Sequence, residues 1–265
     1  MRFDLDAYQA RSGRVTWDDL DFSAFRDQPL SDDGLRCIRY MHDIEFHTVL
    51  YLRDLLVTPA QNDHRITTFL TIWNLEEHYH GEALAAVLAA HHDAGGLHRV
   101  EPLRRRLGNA RHNLSTLASM VGSWALRDVT AVHMMWGAVN EWTAQAAYGR
   151  LSSLEDHPVL RALLQRLMRQ EGRHIDFYAS EAARRLDGNR RAQALTRFAL
   201  RRYWGPVGSG VAAEEDVRFM VRHLFGGPEG QALAERIDRR IQRLPGLDRL
   251  DIVTRARDAH LVSAA

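Results

Sequence analysis

The chain carries the string Glu-x-x-His twice, at Glu77–His80 within TIWNLEEHYHGEAL and at Glu171–His174 within RQEGRHIDFY. Neither stretch contains proline, and in both the apolar residues recur at helical intervals. Residues three apart stack on one face of an α-helix. Each pair therefore sets a carboxylate and an imidazole on an apolar face. In the first helix that face holds Phe69 or Leu70, Trp73, Leu84 and Val87, and in the second Leu160, Leu164, Leu167 and Tyr178. A carboxylate buried there without a partner is costly. A metal ion that takes it as a ligand removes the cost.

Each motif is preceded by a helix with a glutamate in its own apolar stripe. Glu45 lies among Ile38, Met41, Val49 and Leu52, and Glu141 among Met134, Ala138, Gln145 and Tyr148. A lone glutamate in such a stripe reads as a rim residue or half of an ion pair. The repeat changes the weight: Glu45 and Glu77 stand 32 positions apart, and Glu141 and Glu171 stand 30 apart. Two helix pairs, each adding one glutamate and one Glu-x-x-His, make the ligand set of a carboxylate-bridged di-metal site in a four-helix bundle. The expected ligands are Glu45, Glu77, His80, Glu141, Glu171 and His174. Oxygen donors with two imidazoles and no thiolate suit iron, with manganese fitting one or both positions by the same donor logic. Four carboxylates balance two divalent ions. Glu77 and Glu171 are the expected bridges, and coordination left open would admit dioxygen. Glu76 lies about 100° round the helix from Glu77 and is expected behind the ligands rather than among them. His78 and Glu82 point elsewhere.

The expected architecture is all-α, a ferritin-like four-helix bundle with one long crossover and additional C-terminal helices, in a single domain over 1–265. The core bundle spans about 31–186. Its first helix runs from about Ser31, a good N-cap followed by Asp32 and Asp33, to Val57, where Thr58-Pro59 stops it. The second covers about 61–91, the third about 129–151 and the fourth about 157–186. The stretch 92–129, broken by Gly95-Gly96 and Pro102 and with a helical piece at about 114–126, is long enough for a crossover. Residues 1–30 read as an irregular lead-in with a short helix near Asp18–Phe25. Residues 189–265 carry helices at about 214–224, 228–243 and 250–261 without a chemical motif.

Composition excludes more than it proposes. The chain is 45% hydrophobic and 26% charged with a formal net charge of +1, so nothing global points to nucleic acid. MRFDLDAYQA has no apolar signal core and no run suits a membrane span. Cys37 is the only cysteine, which forbids internal disulfides and suits a reducing cytoplasm.

At these residues the chain resembles the soluble acyl-carrier-protein desaturases. Glu76–Gly81 reads E-E-x-x-H-G, and TIWNLEEHYHGEAL, RQEGRHIDFYASEAARRL and NEWTAQAAYGRL carry the likeness over roughly 35–185. The resemblance implies a ferritin-like di-iron oxidase that uses dioxygen and an external electron donor such as ferredoxin, with an acyl chain on a carrier protein as substrate. It also implies an acidic residue before each ligand glutamate that accepts a hydrogen bond from the opposite metal-bound histidine. Here Glu76 is retained, facing His174, but the counterpart facing His80 is Gln170. A threonine expected three residues after Glu141 is replaced by Ala144, with Thr143 one place early.

The function expected is a dioxygen-activating non-haem di-iron oxidase of desaturase or hydroxylase type acting on an aliphatic or acyl substrate. The alternatives are a non-enzymatic iron-binding or iron-storage protein and a radical-generating subunit with Tyr79 or Tyr148 near the metals. Positive charge gathers in LRRRLGNAR (103–111) and over Arg184–Arg202. It offers a docking face for an acidic acyl carrier protein, and the C-terminal helices offer a surface for a homodimer.

Overall fold

The computed structural model describes residues 3–93, 97–107 and 128–262. Among these residues the structure is helical, with no strand. The elements are α1 (Leu5–Arg11), α2 (Ala24–Asp27), α3 (Asp32–Leu56), a 3-10 turn (Pro59–Asn62), α4 (His64–Ala90), α5 (Leu97–Leu107), α6 (Val129–Glu155), α7 (Pro158–Leu186), α8 (Arg190–Tyr203), α9 (Glu214–Phe225), α10 (Gly227–Gln242) and α11 (Ile252–Val262). No helix among the described residues is long and apolar enough to cross a membrane. The helical piece expected at 114–126 and the Gly95-Gly96 break lie outside the described residues.

The chain forms two compact units. The N-terminal unit comprises Asp4–Gly122 and Tyr148–Gln170, and the C-terminal unit Met1–Phe3, Ser123–Ala147 and Glu171–Ala265.

The N-terminal unit is built on α3 and α4. Ser31 caps α3 by accepting from the Gly34 amide at 2.9 Å, a bond worth about 1 kcal/mol. Its hydroxyl also donates to Glu155 at 2.6 Å. Asp63 caps α4 through the amides of Arg65 and Ile66. The two helices are antiparallel: Phe46 meets His78 and Gly81, Thr48 bonds Asn74, and Tyr51 meets Trp73. A Cβ on Gly81 would lie 2.6 Å from the Phe46 ring, so glycine sets how closely α3 and α4 approach beside His80. This approach corrects the expected α3 stripe. The buried band includes Cys37, Ile38, Met41, His42, Glu45 and Phe46, while Val49 is 37% exposed. Helix α5 is tied to α3 by Arg99 on Asp43 at 2.8 Å and by Arg104 on the Phe46 carbonyl at 2.6 Å.

The lead-in is more ordered than its sequence suggests. Helix α1, unanticipated, packs on α4, with the Tyr8 and Phe69 rings 5.4 Å apart. The short helix expected near Asp18–Phe25 is α2, one turn later. Its Phe25 is buried between His91 and His157, at 4.8 and 4.3 Å. Arg166 holds the intervening stretch of chain by bonds to the Thr16 carbonyl and both oxygens of Asp19. That guanidinium holds the Asp19 carboxyl down to about 2.

In the C-terminal unit, Gly137 of α6 brings the backbone against the Tyr178 ring, 2.5 Å from where a Cβ would stand. Trp204, just after α8, donates to Asn140 of α6 at 3.1 Å. Helices α9, α10 and α11 pack on one another. Asp238 of α10 caps α11 through the amides of Val253 and Thr254, at 3.0 and 2.9 Å.

Candidate metal centre

All six ligands expected from the spacing are buried, with His80, Glu171 and His174 showing no exposed surface. In two groups of four, one ligand atom per residue lies within 4.8 Å of the others: Glu45, Glu77, His80 and Glu171, and Glu77, Glu141, Glu171 and His174.

Helix α4 positions Glu77 and His80 one turn apart, with His80 Nδ1 3.4 Å from Glu77 Oε2. Helix α7 does the same for Glu171 and His174, with Nδ1 3.0 Å from Glu171 Oε2. On α3, Glu45 accepts a hydrogen bond from the Tyr148 hydroxyl. Tyr148 stands on the α6 stripe as expected, but its service to Glu45 was not anticipated.

The atoms behind His80 determine how it can act. Gln170 Oε1 lies 2.9 Å from His80 Nε2. The Gln170 Nε2 donates to the Gly13 carbonyl at 2.8 Å and to Glu76 Oε1 at 3.0 Å. Both of those partners are acceptors, so the amide cannot be turned round without setting oxygen against oxygen. Its oxygen therefore faces His80, and His80 carries its proton on Nε2. In the neutral imidazole Nδ1 then carries the lone pair, and it lies 3.4 Å from the Glu77 carboxylate. A cation bound between that nitrogen and the carboxylate would be held by both. The donor set thus fits a metal on geometry as well as on type.

Glu76 is fully buried. It accepts from Tyr8 Oη at 2.7 Å, from the Gly13 amide at 3.3 Å and from Gln170. Tyr8 and Gly13 were missed by sequence reasoning. No periodicity or motif in the lead-in marks them.

Other expectations meet plain outcomes. Thr143 donates its hydroxyl to the Val139 carbonyl of its own helix at 2.8 Å. His78 lies 3.5 Å from Glu82, and both are well exposed. The thiol of Cys37 is buried, and burial pushes it up to about 12, so it is no nucleophile at neutral pH. Of the basic stretch, Arg184 and Arg185 bond Glu181, and Arg197 bonds the carbonyls of Gly246 and Asp248 at 3.0 and 2.8 Å. Arg190, Arg191, Arg201 and Arg202 are exposed. Arg104 and Arg105 of LRRRLGNAR are engaged by Phe46 and Glu101, and its residues 108–111 lie outside the described residues.

Family models, curated proteins and solved structures were compared with the chain, and none matches it.

Proposed function

We propose that the two groups of ligands form one di-iron centre in a ferritin-like four-helix bundle, and that the chain is a dioxygen-activating oxidase of desaturase or hydroxylase type acting on an aliphatic or acyl substrate. The observation that carries this reading is that Glu77 and Glu171 belong to both groups of four. A carboxylate common to two groups could serve both ions. Glu45 and His80 would complete one ion's protein ligands, and Glu141 and His174 the other's. Iron bound there supplies two-electron reduction of dioxygen, chemistry that side chains lack; manganese would satisfy the same donors.

The chain's own residues do the rest. Gln170 holds the His80 proton on Nε2, and the neutral amide makes that imidazole a weaker donor than a carboxylate partner would. Glu76 would do the corresponding service for His174. The Tyr148 hydroxyl orients Glu45. Trp73 and Tyr178 stand one turn from the motifs and help exclude water. Electrons come from an external donor such as ferredoxin. The exposed guanidiniums of Arg190, Arg191, Arg201 and Arg202 suit an acidic acyl carrier protein bringing the substrate.

The test is anaerobic loading with ferrous iron, admission of dioxygen with a chemical or ferredoxin reductant, and product analysis against acyl thioesters and free fatty acids. Dioxygen uptake matched by an oxidised product supports the reading. Iron oxidation without any product, at many ions per chain, would instead make the protein an iron store.

A further inference from the structure

We propose that the amino-terminal segment from Tyr8 to Gly13 belongs to the metal centre, with the Tyr8 hydroxyl and the Gly13 peptide acting as positioning groups that decide which nitrogen His80 offers to a metal. The inference rests on the reading above that His80 is a ligand, and it names a control on that ligand from outside the helices that carry the ligands.

Gln170 has two N–H groups and one oxygen within its amide. One N–H goes to the Gly13 carbonyl at 2.8 Å, the other to Glu76 at 3.0 Å, and the oxygen meets His80 Nε2 at 2.9 Å. Glu76 is in turn held from the same segment, by Tyr8 Oη at 2.7 Å on one oxygen and the Gly13 amide at 3.3 Å on the other. Gly13 thus uses both its N–H and its C=O on this pair. Without the Gly13 carbonyl and a fixed Glu76, nothing stops the Gln170 amide from rotating by a half turn. His80 Nε2 would then face an N–H donor and become the acceptor. Its proton would move to Nδ1, which is the nitrogen directed at Glu77. A protonated Nδ1 cannot ligate.

Two substitutions reach this arrangement without touching a ligand. Tyr8→Phe removes the hydroxyl and keeps the ring on Phe69. Gly13→Ala meets nothing within 4 Å of its Cβ, so it adds no clash. It acts through the backbone alone, because φ is +152° there, a conformation L side chains rarely adopt. Asp19→Asn serves as a control: it loosens the lead-in from Arg166 and leaves the hydrogen bonds of Tyr8 and Gly13 alone.

The experiment has two readouts. Long-range proton–nitrogen spectra of the metal-free protein, labelled at histidine, report which nitrogen of His80 carries the proton. The release of Co2+ from the cobalt-loaded protein to excess chelator reports metal retention. The wild type should show His80 protonated at Nε2. Tyr8→Phe and Gly13→Ala should both show an Nδ1-protonated fraction and release cobalt about 3–10-fold faster, short of the loss expected when a direct histidine partner is removed. Asp19→Asn should match the wild type on both readouts. An unchanged tautomer in both variants, with release within about twofold of the wild type, a margin well inside the usual outer-partner effect, overturns the proposal. So does an Asp19→Asn variant that shifts equally. A wild type that takes up no cobalt would sink the metal reading, and the tautomer comparison would still decide the role of Tyr8 and Gly13.

Discussion

The two Glu-x-x-His helices differ at one informative place. On α4 the residue before the motif glutamate is Glu76, and on α7 it is Gln170. The two side chains are hydrogen-bonded, with the Gln170 amide donating to Glu76 at 3.0 Å. A second carboxylate at 170 would set charge against charge there and face the Gly13 carbonyl as well. The amide is therefore a consequence of the lead-in. Once Gly13 turns its carbonyl toward position 170, that position must donate in two directions and accept in one, which only an amide can do. The amide at 170, which by sequence looks like a weakened site, has a hydrogen-bonding reason in the lead-in.

The comparison breaks most sharply at the ligands. If Glu77 and Glu171 are shared, Glu77→Ala and Glu171→Ala should each bind no metal, while Glu45→Ala and Glu141→Ala should each keep close to one ion per chain. Elemental analysis of the four variants checks this. Equal loss in all four would remove the distinction between bridging and terminal glutamates.

Next in size is Gln170→Glu. It turns two donated bonds into two repulsive contacts, and metal-free protein should lose about 3 kcal/mol in urea unfolding, the cost of buried acceptors left unsatisfied. The swapped pair Glu76→Gln with Gln170→Glu should recover the share owed to Glu76 and keep the share owed to Gly13. A single variant as stable as the wild type would show that the amide's two donated bonds do not matter.

The glycines of the two motifs give a smaller contrast of opposite sign. Gly81→Ala drives a methyl to 2.6 Å from the Phe46 ring and should cost about 2 kcal/mol by overpacking. Gly172→Ala finds its nearest neighbour at 3.8 Å, on Gln145, and should gain about 0.5–1 kcal/mol from helix propensity. Thermal unfolding of the two variants reads both signs, and a common sign would mean that α3 and α4 are not held apart by that ring.

Much of this was legible in the sequence because helix-forming signals are local. Ser31 marks the start of α3 and Pro59 its end, and the recurrence of glutamate at matched distances picks out six residues that the fold buries in two groups able to hold a metal. The stripes of α6 and α7 also read true, from Met134 to Tyr148 and from Leu160 to Tyr178. What escaped depends on tertiary docking. Tyr8 lies 68 positions from Glu76, in a helix of only seven residues with no apolar rhythm of its own. Tyr148 reads as a member of the Glu141 stripe near the expected metals, but nothing in its spacing says where a hydroxyl finds its acceptor. Periodicity alone places Val49 in the core, but it is 37% exposed and the buried band of α3 runs through His42 and Phe46.

The most direct test of the central claim is a titration of metal-free protein with ferrous iron under anaerobic conditions, followed to its equivalence point. The account predicts two ions per chain in the wild type. A break at one ion per chain, or no binding at all, would contradict it.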